Sequence, residues 1–231
     1  GAHLWVVAGR AGPSAPLGDM HALCLRSLRW RPIALDTAAQ GKLKRWRHTA
    51  VAVGLDRVFV FGGKTHGGGH GGCVSVCEED LSVQAQPGSW PSDENGDQNI
   101  PANVEVLHYK SPTAPSRRYS HISVCVPGTN TIAVHGGVSQ TGEILGDIWL
   151  LDWVSLQWTE VALSIPVQSE LRCYSHDALF LSATHLALWG GNSPKISNKL
   201  QVVNLQTLAV SRAELKLEGA PPHALTRHTV C

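Results

Sequence analysis

Charge is scarce in this 231-residue chain. Asp, Glu, Lys and Arg make up 16% of it, against roughly 25% in an average soluble domain. The 19 basic and 18 acidic residues leave a formal net charge of +1. No global field therefore draws the chain to nucleic acid, and any such attraction has to be local. No window approaches about eighteen consecutive apolar residues, which excludes a membrane-spanning helix. The opening Gly1-Ala2-His3-Leu4-Trp5 has no basic stretch ahead of a long apolar one and does not read as a secretory signal. Catalytic signatures are missing too. There is no Gly-x-Ser-x-Gly elbow, and Gly62-Gly63-Lys64-Thr65 lacks the spacing and the following helix of a phosphate loop. No catalytic residue and no cofactor are expected in this chain.

Apolar residues reach 43%, enough to bury a sizeable core. The six cysteines, Cys24, Cys73, Cys77, Cys125, Cys173 and Cys231, are scattered except for one pair, and most sit in apolar runs. They read as buried free thiols of a reducing compartment, cytoplasmic or nuclear.

Three segments repeat in register. His48 precedes the glycine pair Gly62-Gly63, His121 precedes Gly136-Gly137, and His176 precedes Gly190-Gly191, at spacings of 14, 15 and 14 residues to the first glycine. From Gly137 to Asp147 is ten residues and from Asp147 to Trp158 eleven; Gly9, Asp19 and Trp30 copy both spacings. Arg227-His228-Thr229 opens a further copy. Helical periodicity is nearly absent, and short β-branched runs alternate with Gly, Pro and Asn turns. Each unit reads as four short strands: one carrying the histidine, one ending in Gly-Gly, one led by Asp, and one holding the tryptophan. The units fall at about 1–40, 41–112, 113–168 and 169–226, with a final opening strand at 227–231. Residues 65–102 read as a flexible insertion.

These features resemble the Kelch repeat, an apolar run, Gly-Gly, an acidic-led strand and a spaced Trp in about 50 residues. The resemblance implies an all-β propeller of about four blade units, read here as part of a larger propeller rather than a four-bladed ring sealed by its termini. Departures are Asn198-Lys199 in place of an acidic residue, Val210 near the Trp place, and no late Trp in the unit of His48. A narrower resemblance rests on Arg118-Tyr119-Ser120-His121, Arg172-Cys173-Tyr174-Ser175-His176 and Val202-Val203-Asn204-Leu205-Gln206-Thr207. It is similar to the Kelch region of the tRNA wybutosine-synthesizing, leucine carboxyl methyltransferase 2 type. That resemblance implies an accessory domain to an S-adenosylmethionine-dependent methyltransferase acting on tRNA.

The recurrent histidines His48, His121, His176 and His228 are read as structural, because a repeat places one in every blade. His66, His70, Cys73 and Cys77 match no common zinc spacing, and Gly67–Gly72 would have to lose much entropy to close round an ion, so no metal is expected there. The candidate partner surface is basic: Arg45, Arg47, Arg117, Arg118, Arg172 and Arg227 near the opening strands, with Arg10, Lys64 and Lys195 in neighbouring loops. Arginine forks suit carboxylate or phosphate. A protein partner or an upstream catalytic domain is expected, with tRNA as the second candidate and neither membrane nor DNA. Three readings compete: an adaptor for an acidic peptide, the tRNA-enzyme accessory domain, and a small-molecule Kelch enzyme. The last needs convergent acid–base residues that the sequence does not show.

Overall fold

The computed structural model describes residues 3–12, 15–54, 56–66, 74–77, 79–85, 99–193, 195–196, 200–212 and 226. The chain divides into two compact units, Gly1–Leu107 and His108–Cys231. Among the described residues no helix is long and apolar enough to cross a membrane.

In the first unit, β1 (His3–Gly12), β2 (Ala15–Cys24) and β3 (Arg29–Ala34) form an antiparallel meander, followed by helix α1 (Thr37–Leu43). Next come β4 (Thr49–Val53), β5 (Arg57–Phe61), the short hairpin strands β6 (Lys64–His66) and β7 (Val74–Val76), then β8 (Leu81–Ala85) and β9 (Ile100–Val106). β4, β5, β8 and β9 make one antiparallel four-stranded blade in that order. The last strands of the two sheets, β3 and β9, run parallel and pair at Ile33↔Ile100 and Ala34↔Pro101, so the unit is one seven-stranded sheet.

The second unit holds β10 (Arg118–Tyr119), β11 (Ile122–Cys125), β12 (Thr131–His135), β13 (Val138–Ser139), β14 (Ile148–Asp152) and β15 (Gln157–Glu160). Helix α2 (Ile165–Leu171), β16 (Asp177–Ser182), β17 (His185–Trp189), β18 (Asn192–Ser193), β19 (Lys195–Ile196), β20 (Leu200–Asn204) and β21 (Val210–Arg212) follow. Two blades result, β11-β12-β14-β15 and β16-β17-β20-β21, each antiparallel. The second strand of a blade is covered on both faces: Val58, Phe59, Val60 and Phe61 in β5 and Ile132, Ala133, Val134 and His135 in β12 are all buried. Such strands read as unbroken apolar runs.

Strand order follows the sequence repeat, with one correction. The stretch 65–102 expected as a flexible insertion contains β7 and β8 and the start of β9, and β8 is a core strand with Leu81, Val83 and Ala85 fully buried. Asp80-Leu81-Ser82-Val83 is the acidic-led third strand, displaced because β6 and β7 lengthen the loop before it.

The helices were not foreseen, yet they belong to the repeat. A constant offset of 128 residues relates Gly9 to Gly137, Gly18 to Gly146, Asp19 to Asp147, Leu28 to Leu156, Trp30 to Trp158, Gln40 to Gln168, Leu43 to Leu171 and His48 to His176. Each helix ends in a buried leucine, Leu43 or Leu171. Each also crosses a glycine: a Cβ on Gly18 or Gly146 would lie 2.0 Å from the carbonyl oxygen of Gln40 or Gln168. Each helix spans only seven residues, too few to stand alone, so burial of that leucine holds it. The cores are equivalent: Met20, Leu43, Val58, Leu81 and Ile100 pack together in the first unit, and Ile148, Leu171, Ala178, Leu186 and Val203 in the second.

The glycine pair has a measurable reason. The second glycine is left-handed in every copy, with φ of +108° at Gly9, +96° at Gly63, +94° at Gly137 and +83° at Gly191. A Cβ on Gly63, Gly137 or Gly191 would lie 2.6–2.8 Å from the Cβ of His48, His121 or His176. Around Gly9, where no histidine strand precedes, nothing lies within 4 Å. The first place of the pair is also left-handed, and in the first copy Ala8 fills it at φ 50°. Gly137→Ala should therefore cost about 2–4 kcal/mol, combining strain and overlap, whereas Gly9→Ala should cost only about 1–2 kcal/mol of strain. Chemical denaturation of the two variants checks this; equal losses would remove the histidine contact as the cause.

Candidate functional site

Three residues before each repeat histidine the chain places a buried group that ties down the blade. Arg118, 3% exposed, donates two hydrogen bonds of 2.7 Å to the Asp147 carboxylate and further bonds to the carbonyls of Gly136 and Ser116. Asp147 also accepts from Trp149 Nε1 at 2.8 Å. Burial on its own raises the Asp147 pKa, but the bonds and charge of Arg118, with Trp149 and His135, carry it below the usual carboxylate range. Arg45, 2% exposed, donates to the carbonyls of Lys42, Gly62 and Glu79, while Asp80 accepts from the Gly62 amide at 2.7 Å. Arg45 and Arg118, expected on the partner surface, are thus spent inside their own blades. A buried guanidinium must saturate its donors internally, which leaves no fork for a ligand.

The histidines act one step further in. His48 Nε2 donates to the carbonyl of Val7 at 3.1 Å, joining its blade to the preceding one. Burial, helped by the Arg45 charge and opposed by the Val7 bond, lowers its pKa to about 4. His176 reaches back in the same way but meets a side chain, with Nε2 2.9 Å from His135 Nδ1. His121 is buried; His228 and Arg227 lie outside the described residues. Asp19 and Trp30 keep the register of Asp147 and Trp158 but not their burial. Asp19 is exposed beside His21, and Trp30 is 53% exposed against 4% for Trp158. Tyr109 and Trp149 cover Trp158 edge-on, and Ser111 caps its amide; the three-stranded sheet β1-β2-β3 places nothing comparable over Trp30 among the described residues.

Basic residues at the blade edge fall into register. Lys44, Arg117 and Arg172 are exposed and each directly precedes the buried place of Arg45, Arg118 and Cys173. Lys44 was not singled out from the sequence, although its position in the repeat identifies it. Arg172 pairs with Glu143 at 2.9 Å on the surface, a contact worth under about 1 kcal/mol. Trp46, Tyr119 and Tyr174 occupy the next place, and each bridges by main chain to the residue after the glycine pair: Lys64, Val138 and Asn192. Arg10 is exposed and lies over the Trp46 ring at 5.7 Å. Arg47 and Lys64 are half-buried, and the Lys195 side chain is outside the described residues.

Among the described residues one group of side chains has metal-ligand chemistry: His135, Cys173 and His176, all buried, with donor atoms within 4.8 Å of one another. His135 escaped the sequence reading because Val7, Phe61 and Trp189 fill its place in the other copies. The pair expected in the insertion is not assembled in the described part: His66 stacks against Trp46, Cys77 is a buried free thiol, and His70 and Cys73 are outside the described residues. Cys24, Cys125 and Cys173 are also free thiols. A second polar cluster, Ser182, Thr184, His185 and Asn204, has the residue types of a nucleophile–base pair. Asn204 Nδ2 faces His185 Nε2 at 3.1 Å, so the ring proton sits on Nδ1, toward Ser182 and Thr184. In that tautomer His185 donates to the hydroxyls and cannot take their protons.

Together these blades define a Kelch-type β-propeller, a class of protein-interaction scaffold. The chain belongs to the KLHDC2/KLHL20/DRC7 Kelch-repeats domain family, whose model matches residues 1–170. A solved structure titled "Structure of YjhT" is similar, with a TM-score of 0.64 and 14% identity. The likeness covers 97% of this chain and 64% of that one; at this identity it shows the fold alone. The chain thus spans less than two thirds of that structure's length. No curated protein matches the sequence.

Two outcomes follow from the buried groups. Arg118→Met should destabilise by about 3–5 kcal/mol by leaving Asp147 without its partner, and adding Asp147→Leu should recover most of the loss; additive losses in the denaturation cycle would contradict the pairing. For His48 the folded pKa lies below the unfolded value of about 6.5, so its contribution is complete above that pH. It is lost as pH falls toward 4, at about 1.4 kcal/mol per pH unit. His48→Gln should flatten the stability–pH curve between pH 6.5 and 4 by that slope.

Proposed function

We propose that this chain is a docking scaffold that holds an acidic protein segment against the basic edge of its blades. The supporting observation is the exposed basic residue at one repeat place, Lys44, Arg117 and Arg172, beside the aromatic place of Trp46, Tyr119 and Tyr174. A cation next to an aromatic face suits a carboxylate-bearing peptide: the charge steers approach and the ring supplies contact area. Kelch-repeat domains mediate protein–protein interactions, which favours a peptide over a small substrate.

The resemblance of Arg118-Tyr119-Ser120-His121 and its neighbours to the tRNA wybutosine-synthesizing type supports a second reading. On it, the same edge meets a tRNA backbone or a methyltransferase domain that carries the chemistry. A salt series separates the two, because phosphate binding falls steeply with salt. The expected result is fluorescence-anisotropy binding of a glutamate-rich peptide, weakened at least about tenfold in the triple variant Lys44→Ala/Arg117→Ala/Arg172→Ala with unchanged Tm, as loss of rim charges implies. Binding of unmodified tRNA with a steep salt slope, and none of the peptide, would replace the first reading by the second.

A further inference from the structure

The junction between the two blades of the second unit differs from its counterpart 128 residues earlier in a directed way. In the first copy the junction is made by Val7, Arg45 and His48; in the second the same three places are His135, Cys173 and His176. The histidine common to both keeps its reach to the preceding blade. The other two places have changed from an aliphatic and a cation to an imidazole and a thiol. The Asp147 register place of the last blade holds Lys199, so Cys173 also stands where an acidic partner for arginine is missing. Two unrelated replacements that converge on ligand types, around a histidine already in place, are hard to account for by packing alone.

We propose that His135 Nδ1, Cys173 Sγ and His176 Nε2 form a buried three-coordinate site for Cu(I). An ion about 2.0–2.1 Å from nitrogen and 2.3 Å from sulfur, with its donors at 120°, separates two nitrogens by roughly 3.5 Å and nitrogen from sulfur by roughly 3.8 Å. The nitrogens stand 2.9 Å apart and the whole set lies within 4.8 Å. Sub-ångström ring movement between the nitrogens, and at most about 1 Å at the sulfur, completes the triangle. Close packing speaks for three ligands rather than four: a Cβ on Gly136 would already lie 2.5 Å from the Cys173 carbonyl and 2.9 Å from His176 Cε1. Charge selects the monovalent ion. One thiolate neutralises Cu(I), whereas a divalent ion leaves a buried positive charge beside the self-neutralising pair Arg118–Asp147, which low polarity penalises. Thiolate and imidazole donors also suit Cu(I) by softness.

Neutral imidazoles fit the role, and burial, with Arg118 adding to it and Asp147 and the Leu171 main chain opposing, holds His135 neutral down to about pH 4. Burial pushes the Cys173 thiol up to about 12, so the ion has to displace that proton to solvent on entry; no electron is transferred. A buried thiol beside a histidine pair is otherwise a small apolar filler, and the test separates the two roles.

The whole chain, reduced and free of metal, is titrated anaerobically with Cu(I) against a coloured Cu(I) chelator. The expected result is one tightly held equivalent whose X-ray absorption shows one sulfur and two nitrogen neighbours. Cys173→Ser and His135→Val, the latter installing the residue of the first copy, should each lose that equivalent, with affinity down at least about 100-fold; their circular dichroism should match the parent's. Looser binding by the other thiols is shared by all three proteins and cancels in the comparison. Equal Cu(I) stoichiometry and affinity in the three proteins would overturn the site. Retention of Zn(II) with refusal of Cu(I) would overturn the choice of a monovalent ion.

Discussion

The second glycine of each pair is the point on which this architecture turns. Its amide is donated across the blade junction: Gly9 N–H to the Arg45 carbonyl at 2.9 Å and Gly137 N–H to the Cys173 carbonyl at 2.8 Å. At Gly137 the Cα face is pressed at the same time against His121 of its own blade. One residue therefore serves two neighbours, and a side chain would cost it both. The left-handed φ follows from that double duty, since no right-handed residue presents its amide outward and its bare face inward at once. Blade follows blade because this bond is remade in each copy.

The other left-handed residues show that the strain is periodic. Arg47, Ser120 and Ser175 stand just before the repeat histidines, and Leu28, Leu156 and Leu208 turn the third strand into the fourth, all with φ between +54° and +58°. None is glycine. Each costs about 1–2 kcal/mol, and the chain bears this where the turn aims a histidine or a buried strand correctly. Strain recurring in register belongs to the fold rather than to one ligand.

Much of this was legible from the sequence. The spacing of His48, His121 and His176 to their glycines fixes the strands, because period-two apolar runs between turn residues have few alternatives. The helices were missed because seven residues, with one buried leucine each, carry too little periodicity to register. β8 was missed because the lengthened loop pushed Asp80 away from its expected spacing. Among candidate site residues, sequence reasoning placed Arg45 and Arg118 at the blade edge correctly but could not see which way they point. Their carbonyl and carboxylate partners are assembled only by the fold. Lys44 and His135 were readable only by aligning the two copies without a gap.

Native-state hydrogen exchange of the Gly9 and Gly137 amides tests the junction most directly. If these bonds hold the blades together, both amides exchange only when their unit opens as a whole, as slowly as the buried strands β5 and β12. Exchange at the rate of the Gly142 amide, in the loop between β13 and β14, would show that the junction opens freely and that something else joins the blades.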